Sequence, residues 1–466
     1  SGTCLLHVAR DDKRMAAVKD ALNFFAPDIP IKIFPSWDCL PYDRISPNSE
    51  ISSCRLSLLT DLAQNSSSKY IILTTVNAAT QRIPNRAILS SATFQADVGK
   101  NMDINLLYSF LIKMGFSKTS TVSEPGDYAV RGGIIDIFAP REVGAVRLDL
   151  FGDVLDDIRQ FDPISQRTVS KMPNLRLAPV SEVIFDEASI SRFRQNYRKA
   201  FGASHSKDIL YESVSAGNKY QGVEHWLPFF HEKLETIFDY LPEATVTLDD
   251  NIDATRTARW EVIIDQFQSR KENLDQKNRL DTVYKPIEPE QLYLNENDWK
   301  FALSSRSVLQ FSPFTQIPGP NKKDAGGTIG KNFSVERKVE NINIFNALSS
   351  YIKSEIETRP VIIASYTDGA RERLMGLLID EGLEGANLIE NISQVDKRGV
   401  FLAVWRLEQG FQTDKFTVIS EQDVLGERLI RKASKRRKAE NFLTEATSLT
   451  SGDLVVHVDH GIGKYH

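Results

Sequence analysis

Asp249 and Asp250 close the apolar run at residues 246–251, VTLDDN. Paired carboxylates ending a buried strand are where a nucleotide-hydrolysing fold holds magnesium. Hydrolysis also needs a glycine loop whose amides cradle the phosphates, a lysine on those phosphates and a hydroxyl on the metal. Two Gly-Lys pairs come nearest. Gly99-Lys100-Asn101 lacks the earlier glycine, and Gly330-Lys331-Asn332 has Ala325 in place of that glycine and Asn332 in place of the hydroxyl. Many loops carry paired acids, and without that glycine loop no residue is assigned a catalytic role. No GxSxG elbow, HExxH helix or HRD-type loop supports a nucleophilic, zinc-hydrolase or kinase reading. His457 and His460 flank Asp459, but VVHVDHG alternates like a strand, on which residues three apart face opposite sides, so no metal site is assigned.

Other residues suit binding better than chemistry. In the alternation VRLDLF, residues 146–151, Arg147, Asp149 and Phe151 lie opposite Val146, Leu148 and Leu150. Arginine and phenylalanine presented together are the usual anchors of a protein interface, although a second packing layer would bury the ring equally well. Arg131 follows the strand-like YAV and precedes Gly132-Gly133, a place where a side chain is presented rather than packed; an ion pair within the domain is the competing reading. Residues 428–438, RLIRKASKRRK, hold seven Lys or Arg. Arg431, Lys432, Lys435, Arg436, Arg437 and Lys438 are candidates for DNA phosphate contact. A solvated interdomain helix is the favoured account of that run, because the chain is acidic and no aromatics are interleaved.

The elements that carry these residues are legible from periodicity. CLLHVA, a helix bearing Met15, Val18, Leu22 and Phe25, then IKIFPS and YIILTTV alternate as short apolar strands and amphipathic helices, the pattern of a parallel sheet. Residues 93–178 show hairpin-like alternation around Pro125-Gly126 and Gly132-Gly133. Residues 179–315 return to α/β character, 316–332 read as a Pro/Gly/Lys linker, and 333–427 form a further small α/β domain. The basic run occupies 428–450, and 451–466 begin another module.

With 466 residues, several domains are expected, and 41% hydrophobic content is enough for their cores. The formal charge is −5, 26% of residues are charged, and no long apolar window argues for a membrane span. The opening residues do not read as a signal peptide, so a cytoplasmic location is expected, with a monomer as default. Cys4, Cys39 and Cys54 are odd in number and lack CxxC spacing, which fits ordinary thiols.

EPGDYAVRGGIIDIF from residue 124 and VRLDLFGDVLDDIRQFDPISQRT from residue 146 resemble a segment shared by UvrB and the bacterial transcription-repair coupling factors. WDCLPYDRISPNSEISSCRLSLL at 37–59, ISEQDVLGERLIRK at 419–432 and GDLVVHVDHGIGKYH at 452–466 resemble the coupling-factor family. The resemblance implies an α/β multidomain fold. A degenerate helicase-like, UvrB-like parallel α/β domain (1–92 and 179–315), with Asp249 and Asp250 as its vestigial nucleotide site, carries an inserted small α+β UvrA-binding domain (93–178). A small α/β domain and the truncated start of an RNA-polymerase-interacting module follow. It implies UvrA as partner, contacted by Arg131, Arg147 and Phe151, with Arg159 and Phe161 as secondary candidates. It further implies the non-translocating portion of a factor that, at full length, uses ATP to translocate on DNA, displaces stalled RNA polymerase and recruits nucleotide excision repair. ATP and magnesium then belong to domains outside this chain, which needs no cofactor. UvrB's DNA-inserted aromatic hairpin corresponds here to LPYDRISPNSE, with Tyr42 as its one aromatic. The alternatives are a UvrB-type DNA-dependent ATPase or helicase, and a salt-sensitive DNA-binding protein without a UvrA role.

Overall fold

The computed structural model describes residues 4–426 except 65–68, 140–143, 203–207, 276–283, 315, 318, 340–342, 384 and 396, together with strands 454–457 and 461–464. The chain divides into two compact units, residues 1–323 and 324–466.

The first unit is built on a five-stranded parallel sheet. Its order is Val308–Gln310, Thr245–Leu248, Leu5–Ala9, Ile71–Thr75 and Ile31–Phe34. Such strands are apolar on both faces because helices cover both, and Ile71–Thr75 is buried at every position. Helix Asp12–Phe25 starts at Asp11, whose carboxylate accepts from the Arg14 amide, and helix Ser49–Ala63 starts at Asn48 in the same way. Leu5–Ala9 pairs directly with Thr245–Leu248, so everything between folds without separating these two central strands.

A second, aromatic core lies beside the sheet. Trp37, Tyr42, Phe193, Tyr197, Trp226, Phe267, Tyr284 and Tyr293 pack together in it. Tyr42 is 1% exposed, its hydroxyl donates to the Ile287 carbonyl at 3.0 Å, and its φ is 58°. The one aromatic ring of the stretch LPYDRISPNSE is thus a core residue. His225 meets Trp37 edge-on at 5.6 Å, and burial pushes its imidazole down from 6.5 to about 4. The unfolded chain takes up this proton in that window and the folded chain does not. Acidification from pH 6.5 toward 4 should therefore cost up to about 3 kcal/mol of stability through this one group. Urea unfolding at a series of pH values checks this: His225→Gln should flatten the dependence in that window, and an unchanged slope contradicts it.

The second unit contains a six-stranded sheet in the order Thr328–Ile329, Phe411–Gln412, Thr417–Ser420, Val361–Ser365, Val400–Val404, Asn387–Ile389. The expected linker 316–332 needs correction at its end. Thr328–Ile329 is an edge strand pairing antiparallel with Phe411–Gln412, and the Gly330 amide donates to the Gly410 carbonyl at 3.0 Å. A Cβ on Gly330 would lie 2.8 Å from the Gly410 carbonyl carbon, so this glycine permits backbone contact rather than phosphate binding. Lys331 pairs with Glu336 at 3.0 Å and sits over the Phe333 and Tyr351 rings. Leu454–His457 and Gly461–Lys464 form an antiparallel hairpin. Residues 427–453, with the basic candidates Arg431, Lys432, Lys435, Arg436, Arg437 and Lys438, lie outside the described residues, as does His460. Among the described residues no helix is long and apolar enough to cross a membrane.

Candidate protein-binding face

Between the two halves of the parallel domain the chain forms a separate sheet whose strands lie in sequence order. They are Ser117–Lys118, Asp127–Arg131, Ile134–Phe138, Ala145–Phe151, Val154–Phe161 and Thr168–Lys171, antiparallel after the first pair. Two-residue turns join Arg131 to Ile134 and Phe151 to Val154, where Gly132 and Gly152 take φ of 62° and 63°, angles that side chains resist. Both hairpin tips fall at the same end of the sheet. Tyr128, Ile135, Ile137, Val146, Leu148, Leu155 and Ile158 form the inner face, packed with Leu107 and Leu111 of helix Ile104–Lys113.

The final long strand breaks its alternation. Leu155 and Ile158 both face inward although three residues apart, because the register shifts between Leu155 and Asp157. One extra residue at this bulge sends Asp157, Arg159 and Phe161 to the outer face.

That outer face has three zones. Farthest from the tips, Phe161 joins Val122, Ala129 and Ala145 in a small apolar cluster, with Phe138 against it. Phe161 is 2% exposed, so its expected place as a surface contact is corrected: residues around Val122 cover it, and the Gln166 side chain donates to the Val122 carbonyl at 3.2 Å.

A charged zone comes next. Arg147 donates through Nε and Nη2 to both oxygens of Asp136, at 2.6 and 2.8 Å, and its guanidinium lies 4.9 Å from the centre of the Phe161 ring. Asp136 is buried, and its bonds hold Arg147 still more firmly in the charged form, against a smaller opposing effect of burial. The fork is thus fixed in place while one guanidinium nitrogen, Nη1, stays outside this pairing. Arg159 is engaged by Asp149, and by Asp157 at 3.8 Å; Lys171 also reaches Asp157, at 2.8 Å. Of the two, Arg147 is the pre-oriented group and Arg159 the more internally neutralised one.

The third zone is the tip. Phe151 is 84% exposed, and Arg131 is exposed with its Nη2 resting on the Ser120 carbonyl and the Thr121 hydroxyl at 2.6 and 3.0 Å. The structure therefore brings Arg131, Arg147, Arg159 and Phe151 onto one face, with Phe161 covered at its far end. Sequence reasoning missed Asp136; its signal was an acid interrupting the apolar run IIDIF.

The acid pair sits elsewhere, at the ends of the parallel strands. Asp249 is fully buried, with Arg14 Nε 3.1 and 3.2 Å from its two oxygens, and Arg10 Nη1 donates to Asp250 at 2.6 Å. Burial opposes the charge on Asp249, but Arg14 and hydrogen bonds from Asp250 and Arg14 hold its carboxyl below the usual carboxylate range. Strand Leu5–Ala9 reaches helix Asp12–Phe25 through only Arg10 and Asp11. A phosphate-cradling loop needs more chain than that, and here the cations come from the protein itself.

Residues 94–183 match the UvrB interaction domain family. Along nearly its whole length the chain is similar to transcription-repair-coupling factors. It is 28% identical to that of Rickettsia bellii over 463 residues, covering 99% of this chain and 40% of the relative. For the Haemophilus influenzae protein the identity is 30% over 441 residues, covering 93% and 37%. For the Escherichia coli protein it is 27% over 466 residues, covering 98% and 39%. The chain thus spans about 40% of the length of these relatives.

Proposed function

We propose that this chain, which matches the transcription-repair-coupling factors along nearly its whole length and carries a UvrB interaction domain, is the UvrA-recruiting, non-translocating amino-terminal portion of such a factor. At full length the protein would use ATP to translocate on DNA, displace stalled RNA polymerase and hand the site to excision repair. The observation that carries the recruiting role is the large ring of Phe151 held in solvent at a hairpin tip, inside the region that matches the interaction domain. A soluble chain gains nothing in its own fold from that ring, whereas a partner's pocket would bury it. Arg131 and the oriented fork of Arg147 supply directional bonds to carboxylates beside such a pocket. Titrating purified UvrA with the chain should give saturable binding, and the chain should compete with UvrB for it. Absence of binding at micromolar concentrations overturns the reading.

The parallel domain acts in this reading as a scaffold whose nucleotide site has decayed, its magnesium position filled by Arg10 and Arg14. The chain should show no ATP hydrolysis, with or without DNA. Turnover that disappears on Asp250→Ala would reinstate the UvrB-type ATPase.

A further inference from the structure

Two apolar residues that no comparison singles out flank Phe151, and we infer that Ile134 and Val154 form with it one continuous apolar ridge that enters the partner. This rests on the reading of UvrA as that partner. Register places all three together. Val154 is the direct cross-strand partner of Phe151, and Ile134 pairs with Asp149, which sets it diagonally beside Phe151. Their immediate neighbours Ile135 and Leu155 point into the core, so Ile134 and Val154 face outward with Phe151.

Exposure separates the three from the apolar cluster farther along that face. Ile134 is 38% exposed and Val154 36%, beside 84% for Phe151, whereas Ala129, Ala145 and Phe161 are each at 2%. An apolar ridge at paired hairpin tips, bordered by Arg131 on one side and the Asp136–Arg147 pair behind it, fits a partner surface with an apolar groove and an acidic rim. The competing account is that β-branched residues sit at these strand ends only because they favour strands.

Threonine separates the two accounts, since it keeps the β-branch while replacing a methyl group of Val154, or the ethyl group of Ile134, with a hydroxyl. Ile134→Thr and Val154→Thr should each weaken UvrA binding about fivefold, and the double variant about thirtyfold, with the thermal unfolding midpoint unchanged. The loss should persist at raised salt, whereas the loss from Arg131→Ala should shrink as screening removes the charge contribution. Native affinity in both threonine variants, with Phe151→Ala defective, overturns the ridge and leaves the recruiting role standing. If Phe151→Ala also binds normally, the recruiting site itself is wrongly placed. A loss of binding that arrives only with a lowered unfolding midpoint likewise overturns the ridge, because the residues would then act through the fold.

Discussion

Phe151→Ala is expected to weaken UvrA binding about a hundredfold while leaving the unfolding transition where it was. A phenylalanine buries on the order of 150 Å² or more when it enters a pocket, worth roughly 3 kcal/mol at an interface hot spot. In the free chain the ring is 84% exposed, so truncation opens no cavity. Isothermal titration against UvrA, with thermal unfolding of the same sample, reads both quantities. A change of less than about threefold removes Phe151 from the interface.

Arg147→Ala is a poorer probe of the same face. Removing the guanidinium leaves Asp136, 2% exposed, as a buried carboxylate without its bidentate partner, and strips the cation from the Phe161 ring. Breaking such a pair costs roughly 3 kcal/mol of fold stability. Weakened UvrA binding in that variant would therefore mix a lost contact with a loosened sheet. Asp136→Asn combined with Arg147→Met removes the stranded charge and isolates the contact.

The second large effect concerns the attachment of the interaction domain to its scaffold. Arg55 in helix Ser49–Ala63 is fully buried, and its Nε donates to Glu182 at 2.6 Å while Nη1 donates to the Pro35 carbonyl at 2.8 Å. Its guanidinium lies 4.3 Å from the Phe34 ring centre, and Trp37 Nε1 also donates to Glu182, at 3.1 Å. Glu182 belongs to the last residues of the matched interaction domain, so this cluster pins the segment where the inserted domain returns to the parallel sheet. Arg55→Met should cost about 3–5 kcal/mol, because the Glu182 carboxylate stays buried with its main counter-charge gone. Adding Glu182→Leu should recover much of that loss, since a buried pair replaced by apolar groups is often close to neutral. Urea unfolding of the single and double variants measures both, and a loss under about 1 kcal/mol for Arg55→Met shows that the pair contributes little.

Local pattern was enough for several features. The period of two in VRLDLF put Phe151 and Arg147 on one side of a strand, the double glycine after Arg131 marked a tight turn, and the missing phosphate loop was visible as missing residues. These depend on neighbours within a few positions, and backbone geometry alone decides them. The helical and strand segments around the parallel sheet were legible for the same reason.

Other features depended on residues far apart in the chain. Phe161 read as outward-facing, yet coverage by residues around Val122 buries it, and the bulge that set its side of the sheet lies within ordinary-looking sequence at Asp156. Asp249 and Asp250 read as a vestigial nucleotide site, but the cations they meet, Arg14 and Arg10, lie more than 200 positions away in the chain. Gly330-Lys331 fails the phosphate-loop pattern by its neighbours, but the close backbone approach of Gly330 to Gly410 depends on a distant segment. The amino-acid order by itself determined which side of an unbroken strand each side chain takes, because that alternation is a property of adjacent peptide units. Only the tertiary structure decided which side is covered and which acid meets which cation, because burial and ion pairing are set by chain segments that folding brings together.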